Sequence, residues 1–356
     1  MEFSTPPEKL PAEGSSVWRP SDLGGSNNWT YALSSRERQE ILAAANAASM
    51  DVEAISPSVF PLPTLGPKLQ RIQREVIDGR GFALIRGFPL GTAGLKTVAE
   101  AARAFWGLGG WLGEAISQNK DGCLLGHVCD VGASADHPHQ RGFQSPDGLP
   151  YHTDVAGDVI ALLCLRPARS GGASSIASAG AIHNALLAES PALVDALSQS
   201  VAWDRRGEIP QGARPWYLLP VFSHHRGRLL TSFVRRFLEG AQQFPDAPRA
   251  SETLLRAIAR LTELAADPSF HLEMDFQPGD IQLVNNHAIL HNRTAYEDSP
   301  DPRARRHLLR LWLAATNGWA LPQAHYARYP TRAANGRPGG ITTPQARPHV
   351  PLSPAG

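Results

Sequence analysis

The chain has 356 residues, of which 42% are hydrophobic, and its formal net charge at pH 7 is +1. A chain of this size and composition can bury one large core or at most two smaller ones, which indicates a folded globular protein. Because the charge is nearly balanced and no block of basic residues stands out, we expect neither nucleic acid nor a membrane surface as a partner. No apolar run approaches the roughly 18 residues of a membrane-spanning helix.

The N-terminal stretch MEFSTPPEKLPAEGSS combines acidic residues with prolines. A secretory signal peptide needs a basic start and an apolar centre, so we expect a cytoplasmic location. The three cysteines, Cys123, Cys129 and Cys164, form no CxxC pair and leave an odd one out. We therefore expect reduced, buried thiols instead of disulfides or a cysteine zinc site.

The order of patterns along the chain predicts a single domain over residues 1–356. Residues 1–30 form a Pro-, Ser- and Gly-rich extension that we expect to wrap the surface. A helical flank with the first strand follows over 35–110, and the main body of strands occupies 120–320. The tail, 328–356, is rich in Pro and Gly, and we expect it to be extended or partly disordered.

The helical flank has clear start and stop signals. Serines cap the stretch SSRERQEILAAANAA, which predicts a helix from about Ser35 to Ala48. A second helix is expected in GPKLQRIQREVIDG, closed by Gly79, and it leads into a strand in GFALIRGFPL. The stretch LKTVAEAARAFWGLGG predicts a third helix.

From about Gly122 onward, short apolar runs alternate with Gly, Pro, Asp or Asn. These runs are CLLGHVCDV, DVIALLCL, SSIASAG, LLTSFV, FHLEMDF, DIQLVNN and RHLLRLWLA. Their spacing is typical of an antiparallel sandwich or barrel, and helical stretches at AIHNALLAESPALVDALSQ and SETLLRAIARLTELAAD interrupt it. The predicted fold class is therefore mainly β with flanking helices.

A possible metal site lies at the mouth of one predicted strand. His152 and Asp154, in YHTD, are two residues apart and share one face of an extended segment, so both can contact one ion. A hydrogen-bonded structural pair is the simpler explanation for these two residues alone. His287 and His291 follow the predicted strand IQLVNN, and two histidines with one carboxylate form the ligand set of non-haem Fe(II) oxygenases.

Two arginines lie within the apolar run RRHLLRLWLA. Arg306 and Arg310 would be buried there, and an unpaired buried guanidinium is costly, so each needs an anionic partner. The planar guanidinium matches a carboxylate with two parallel hydrogen bonds. That carboxylate can belong to a ligand or to one of the protein's own acids.

Four stretches in this order resemble the taurine dioxygenase/clavaminate synthase-like (TauD/TfdA) family of Fe(II)- and 2-oxoglutarate-dependent oxygenases. They are YHTD, LRPARSGGASSIAS, PGDIQLVNNHAILHNRTAYED and RRHLLRLWLA. The resemblance runs from about Trp18 to Pro330. It implies a double-stranded β-helix, a jelly roll of the cupin-like kind, with iron, 2-oxoglutarate and O2 as cofactor and co-substrates.

The resemblance also implies roles for individual residues. The metal ligands fall on His152, Asp154 and His291, whereas His287 matches no ligand and is expected to be structural. The resemblance implies that Arg306 and Ser174 bind the distal carboxylate of 2-oxoglutarate, and Ser174 occupies a position where relatives have threonine. Candidate substrate contacts are Arg310, Gln118, Asn119 and Tyr151. From its position in the sequence, and not from the resemblance, Asp158 could pair with a cationic group or with Arg205 or Arg206, and a structural pair is the simpler explanation.

The implied reaction is oxidation of a small, carboxylate- or amino-acid-like substrate, coupled to decarboxylation of 2-oxoglutarate to succinate and CO2. Hydroxylation is the default outcome, with desaturation or cyclisation as variants. Two alternatives remain open on the residues alone: a relative that binds 2-oxoglutarate without turnover, and a jelly-roll isomerase or hydrolase using the same metal ligands. The sequence leaves the oligomeric state open, a homo-oligomer included.

Overall fold

Two β-sheets form the double-stranded β-helix of this protein, and helices cover their outer faces. The computed structural model describes residues 10–49, 51–130, 132 and 145–354. Within these residues, the larger sheet has seven strands in the order β1-β2-β14-β6-β17-β3, with β4 also paired to β17, and the smaller sheet has four in the order β13-β8-β15-β5. The strands are β1 Thr30–Ala32, β2 Phe82–Arg86, β3 Glu114–Ala115, β4 Leu125–Val128, β5 Leu149–His152, β6 Val159–Arg166, β7 Ser170–Gly171, β8 Ser174–Ser178, β9 Val201–Asp204, β10 Trp216–Leu219, β11 Phe222–His225, β12 Arg228–Thr231, β13 His271–Met274, β14 Ile281–Asn285, β15 Ile289–Arg293, β16 Tyr296–Glu297 and β17 His307–Ala314.

The helices follow from capping and from amphipathic spacing. The helix expected from Ser35 begins there, with Ser34 and Glu37 forming a capping box. The second helix buries Leu65, Leu69, Ile72 and Val76, one stripe of its surface, against β2 and β14. The helices are α1 Ser35–Ala47, α2 Leu65–Asp78, α3 Val98–Gly109, α4 Ala179–Glu189, α5 Pro191–Ser198, α6 Arg235–Ala241, α7 Glu252–Ala266 and α8 Gln323–Ala327. None of the described helices is long and apolar enough to span a membrane.

The two central strands of the larger sheet, β6 and β17, are almost entirely buried. They pair antiparallel from His307 opposite Arg166 to Leu313 opposite Val159. Their apolar runs read continuously because helix α3 covers one face of the sheet and the barrel interior covers the other. Charged residues on β17 therefore face the interior, where they need partners.

Both ends of the chain pack on this core where they are described. Trp18 is buried, and its indole donates a hydrogen bond to the carbonyl of Arg80 (2.8 Å). The tail is extended but docked, since Ile341 and Val350 are buried and its backbone pairs at Ser117 and Cys123. Of the two alternatives expected for the tail, extended or partly disordered, the described residues show the extended one, because the few apolar residues of the tail pack on the core. Residues 1–9 lie outside the described part of the chain.

The three cysteines are free thiols. Cys129 and Cys164 are buried and Cys123 is partly buried. Burial raises the pKa of Cys164 to about 12, so this thiol is protonated and unreactive at neutral pH.

Candidate active site

His152 and His291 lie opposite each other on neighbouring strands of the smaller sheet. Strand β5 ends at His152, which is the register partner of His291 on β15, and the two ring centroids are 4.2 Å apart. The Nδ1 of His152 lies 2.8 Å from the carbonyl oxygen of Pro150. Because a carbonyl only accepts, Nδ1 must carry the proton, and the Nε2 lone pair of His152 is left for a ligand.

Asp154 lies next to the two imidazoles, in a loop whose backbone is hydrogen-bonded to the side chain of Asn286. The backbone N–H of Asp154 donates to Oδ1 of Asn286 (2.8 Å), and Nδ2 of Asn286 donates to the Asp154 carbonyl (3.0 Å). This fixes the carboxylate so that its Oδ2 lies 3.6 Å from Nε2 of His291. The other oxygen, Oδ1, accepts a hydrogen bond from Nη1 of Arg310 (2.9 Å).

The electrostatics give these three side chains the protonation states of metal ligands. Burial, and then the charge of His291, lowers the pKa of His152 to about 3, and burial also lowers the pKa of His291. For Asp154, burial raises the pKa, but Arg310 and the two histidines outweigh it, so the pKa lies below the ordinary value. At neutral pH the set is therefore two neutral imidazoles and one carboxylate.

Two buried atoms of this set have no hydrogen-bond partner. Within the described residues, Oδ2 of Asp154 and Nδ1 of His291 are buried without a hydrogen-bond partner. The Trp312 indole acts electrostatically on the carboxylate, but its Nε1 does not reach hydrogen-bond geometry. Among the same residues, no group of three His, Cys, Asp or Glu side chains is close enough together to hold a metal ion. The donor set itself suits Fe(II).

Gln118 and Arg310, both predicted to contact substrate, bind each other in the structure. Nε of Arg310 donates to Oε1 of Gln118 (2.8 Å), and Nε2 of Gln118 donates to the carbonyls of Arg310 (2.9 Å) and Leu124 (3.1 Å). Gln118 thus orients the arginine toward Asp154. Arg310 also lines the cavity beside the metal position, so a contact with substrate remains a prediction for it.

Asn119 and Tyr151 have other partners. Oδ1 of Asn119 accepts the backbone N–H groups of Asp121 (3.1 Å) and Cys123 (3.0 Å), which closes a turn. The Tyr151 hydroxyl lies 2.6 Å from Oγ of Ser175, and burial raises its pKa to about 12. Since successive strand residues face opposite sides, Tyr151 points away from His152. Tyr151 nevertheless lines the cavity beside His152 and Asp154, so a contact with substrate stays a prediction for it.

Arg306 lies in a second polar position between the sheets, just before β17. It is 4% exposed, its guanidinium lies 5.2 Å from the centre of the Tyr296 ring, and burial lowers its pKa. Its Nη1 is buried without a hydrogen-bond partner in the described part of the chain. Gly172 has a φ of +71°, and a Cβ there would lie 3.2 Å from Nε of Arg306, so glycine keeps this position open.

Ser174, predicted to share the 2-oxoglutarate carboxylate, begins β8 and is buried. Its Oγ makes only long contacts, to Nε2 of Gln282 (3.4 Å) and to the carbonyl of Asn292 (3.5 Å). The hydroxyl is therefore weakly committed and can turn toward a ligand.

Arg293 was not predicted. It is two residues beyond His291 on β15, so both side chains share a face, and it is the register partner of Ser174. Burial, and then the charge of Arg306, lowers the pKa of Arg293 to about 10. An arginine in a buried strand, in phase with a proposed ligand, was a signal available in the sequence.

Asp158 and His287 form a structural cluster behind the metal position. Nε2 of His287 donates to Oδ1 of Asp158 (3.0 Å), and the Arg337 guanidinium donates to both carboxylate oxygens. The pairing expected with Arg205 or Arg206 is wrong, because the tail brings Arg337 closer. His287 is structural in this arrangement, as expected, and the alternative of His287 as a ligand has no geometric support.

A cavity of about 470 Å³ opens beside His152 and Asp154. Its apolar wall includes Leu149, Val155, Val234, Phe237 and Trp312. Its charged residues are Asp147, Asp154, Arg235, Arg236, Glu239 and Arg310. Arg235 pairs with Glu239 (2.7 Å) and Arg310 with Asp154 (2.9 Å).

Two histidines and one carboxylate are the ligand set typical of non-haem Fe(II) oxygenases. Comparison with known proteins agrees. The model of the family "Taurine catabolism dioxygenase TauD, TfdA family" matches residues 46–312, and the chain belongs to this family. It is an Fe(II)- and 2-oxoglutarate-dependent dioxygenase.

Individual relatives are similar over most of their length. FR-33289 synthase of Streptomyces rubellomurinus is 36% identical over 322 residues, which cover 88% of this chain and 93% of that protein. The solved structure of asparagine oxygenase with Fe(II), 2S,3S-3-hydroxyasparagine and succinate has a TM-score of 0.62 at 18% identity, covering 88% of this chain and 99% of that one. The oxygenase OrfP with Fe, succinate and (3S)-hydroxy-L-Arg has a TM-score of 0.59 at 18% identity, covering 80% and 94%. At this identity the two structures show the fold.

Proposed function

We propose that this dioxygenase hydroxylates a small amino-acid-like substrate that carries a carboxylate, with iron held by His152, Asp154 and His291. The observation that carries the proposal is the convergence of these three side chains beside a cavity, with Oδ2 of Asp154 buried and without a hydrogen bond among the described residues. A buried carboxylate oxygen without a donor is costly, and a metal ion removes that cost.

Bound iron would supply oxygen activation coupled to decarboxylation of 2-oxoglutarate. The chain's own residues bind and orient the reactants. Arg306 and Ser174 would hold the distal carboxylate of 2-oxoglutarate, because a buried guanidinium with an unpaired Nη1 matches that group and few others of its size. Gln118 and Arg310 would keep Asp154 in one orientation.

The cavity supports an amphoteric substrate. Its volume, about 470 Å³, is in the range of small-molecule sites. The charge of Arg236 reaches His152, where it contributes to the lowered pKa, so a substrate carboxylate at Arg236 would lie close to the metal position. Asp147 on the same wall offers a partner for an ammonium group. Asparagine oxygenase and OrfP, with amino-acid products in their structures, are consistent with this choice.

The test measures succinate formation in the presence of Fe(II), O2 and 2-oxoglutarate with matched sets of candidate substrates. Each set contains an L-amino acid, its amide and the amine that lacks the carboxylate. We expect the amino acid alone to raise succinate formation above the substrate-free background and to gain one oxygen atom by mass spectrometry. Equal stimulation by the carboxylate-free amine would contradict the proposed substrate class.

Arg236→Met and Arg235→Met form a matched pair for the same assay. Both residues line the cavity, but Arg235 is exposed and paired with Glu239. We expect Arg236→Met to raise the KM for the substrate at least tenfold with the 2-oxoglutarate requirement unchanged, and Arg235→Met to change it less than threefold.

A further inference from the structure

Arg293 is a second buried arginine beside the position of Arg306. It is 6% exposed, and its Nη2 donates to the backbone carbonyls of Ser145 (2.9 Å) and Asp147. Its Nε and Nη1 are buried without a hydrogen-bond partner among the described residues. Nη2 is thus fixed to backbone carbonyls, whereas Nε and Nη1 can still donate hydrogen bonds to a ligand.

The two guanidinium groups share a neighbour. Arg293 and Arg306 lie 4.8 Å and 5.2 Å from the centre of the Tyr296 ring, and the Tyr296 hydroxyl is also buried without a partner in the described residues. Two like charges held together out of water are unfavourable unless an anion joins them.

Among the described residues, Asp298 acts electrostatically on Arg306 and Asp147 on Arg293, but neither carboxylate makes an ion pair with the guanidinium group. Asp298 accepts the backbone N–H of Arg306 (2.6 Å) but makes no ion pair with its guanidinium. Asp147 receives Arg293 at its backbone carbonyl, and its carboxylate accepts the hydroxyl of Ser145 (3.1 Å). The unpaired donors of both arginines therefore point to an external acid.

We infer that Arg293 and Arg306 together clamp the distal carboxylate of 2-oxoglutarate, with the Tyr296 hydroxyl as a further donor. This rests on the proposed role of Arg306 and adds to it. Ser174 lies directly opposite Arg293 in the register of β8 and β15, which brings the fourth polar group to the same place. One carboxylate bound here would accept hydrogen bonds from both guanidinium groups.

The clamp also connects the co-substrate to the substrate cavity. The carbonyls that Arg293 holds belong to Ser145 and Asp147, and both residues line that cavity. When a carboxylate fixes one side of the guanidinium, the other side holds the cavity wall in one position.

The test compares Arg293→Met, Arg293→Lys, Arg306→Met and the double Met variant with the holoenzyme. Arg169→Met is the control, because Arg169 is an exposed arginine paired with Glu297 at the protein surface. The Kd of 2-oxoglutarate is measured anaerobically with Fe(II) bound, and the Kd of 2-oxobutyrate, which lacks the distal carboxylate, is measured in parallel.

We expect Arg293→Met to raise the Kd of 2-oxoglutarate at least tenfold and the Kd of 2-oxobutyrate less than twofold, with Fe(II) affinity unchanged. Arg293→Lys should lie between wild type and Met, since it keeps the charge but loses the fork. The fold-increase in the Kd of 2-oxoglutarate in the double variant should be smaller than the product of the two single-variant increases, because both arginines act on one carboxylate.

A selective role for Arg293 fails if Arg293→Met and Arg293→Lys retain wild-type discrimination between the two oxo acids while Arg306→Met loses it. That result leaves the proposed function intact and makes Arg293 a structural tie for residues 145–147. If Arg306→Met also keeps wild-type discrimination, the proposed 2-oxoglutarate position itself is wrong. Should Arg293→Met fold poorly, the Lys variant decides between these outcomes.

Discussion

Asp154 and Asp158 are two buried carboxylates only four residues apart, yet their surroundings are opposite. Asp158 accepts hydrogen bonds at both oxygens, from His287, from Arg337 and from the backbone N–H of Ala315 (2.9 Å). Asp154 accepts one from Arg310 at Oδ1, and its Oδ2 has no partner among the described residues.

The same contrast separates the two histidines. His287 donates Nε2 to Asp158, and its backbone N–H donates to Oδ1 of Asn285 (3.0 Å). His291 has Nδ1 buried without a hydrogen bond in the described residues. We call Asp158, His287 and Arg337 the anchor cluster. A buried polar group whose bonds are all made holds the fold together, whereas one left short of partners marks a place for a ligand.

The largest expected effects come from substituting each of the two histidines with alanine and comparing the variants. His291→Ala should abolish iron binding and turnover with little change in the free energy of unfolding of the iron-free protein. His287→Ala should retain iron and lose stability, by roughly 2 kcal/mol, because it leaves Asp158 short of a donor. Iron per chain and thermal unfolding of the iron-free variants are the two measurements. The opposite pattern would show that His287 is the ligand.

Substitution of Arg306 tests the proposed 2-oxoglutarate position, where Nη1 of Arg306 is buried without a hydrogen-bond partner among the described residues. Arg306→Ala removes a buried charge-assisted pair with 2-oxoglutarate, which we expect to cost about 3 kcal/mol, or roughly 100-fold in the 2-oxoglutarate concentration that gives half-maximal rate. The partly buried Arg305, whose Nε donates to the carbonyl of Ser299 (3.4 Å), gives the adjacent control in Arg305→Ala. Steady-state rates over a range of 2-oxoglutarate concentrations would reveal the change, and a wild-type curve would move the role to another residue.

The smallest effect on activity is expected in the anchor cluster. Arg337→Met breaks a buried ion pair with Asp158 and should lower the free energy of unfolding by about 3 kcal/mol. Arg332→Met, in the same tail but exposed and bonded only to backbone carbonyls, should change it by less than about 0.5 kcal/mol. Chemical denaturation of both variants measures the difference. Equal stability would mean that the tail does not anchor Asp158.

Local signals in the sequence were enough for the fold and for the region of the site. Capping serines, Gly stops and short apolar runs bounded by Gly, Pro, Asp or Asn predicted most helices and the central strands, because these signals act over a few residues. His152 and Asp154 share a face by strand geometry alone. The choice of His291 over His287 needed the family resemblance, since both follow the same strand and spacing does not separate them.

Long-range polar pairing is what the sequence did not reveal. Asp158 and Arg337 are 179 residues apart, and Gln118 and Arg310 are 192 apart. Composition predicted an extended or partly disordered tail because it is rich in Pro and Gly. It did not show that Ile341 and Val350 pack on the core or that Arg337 pairs with a buried acid. Which of many arginines reaches which acid depends on tertiary packing, and periodicity carries no information about it.

An anaerobic titration of the metal-free protein with Fe(II) and 2-oxoglutarate tests the central claim most directly. We expect a weak visible charge-transfer band that needs both components, is lost in His291→Ala and persists in His287→Ala, followed by succinate formation when air is admitted. A folded protein that gives neither the band nor succinate, or a band that survives His291→Ala, would contradict the assignment of the iron and 2-oxoglutarate site.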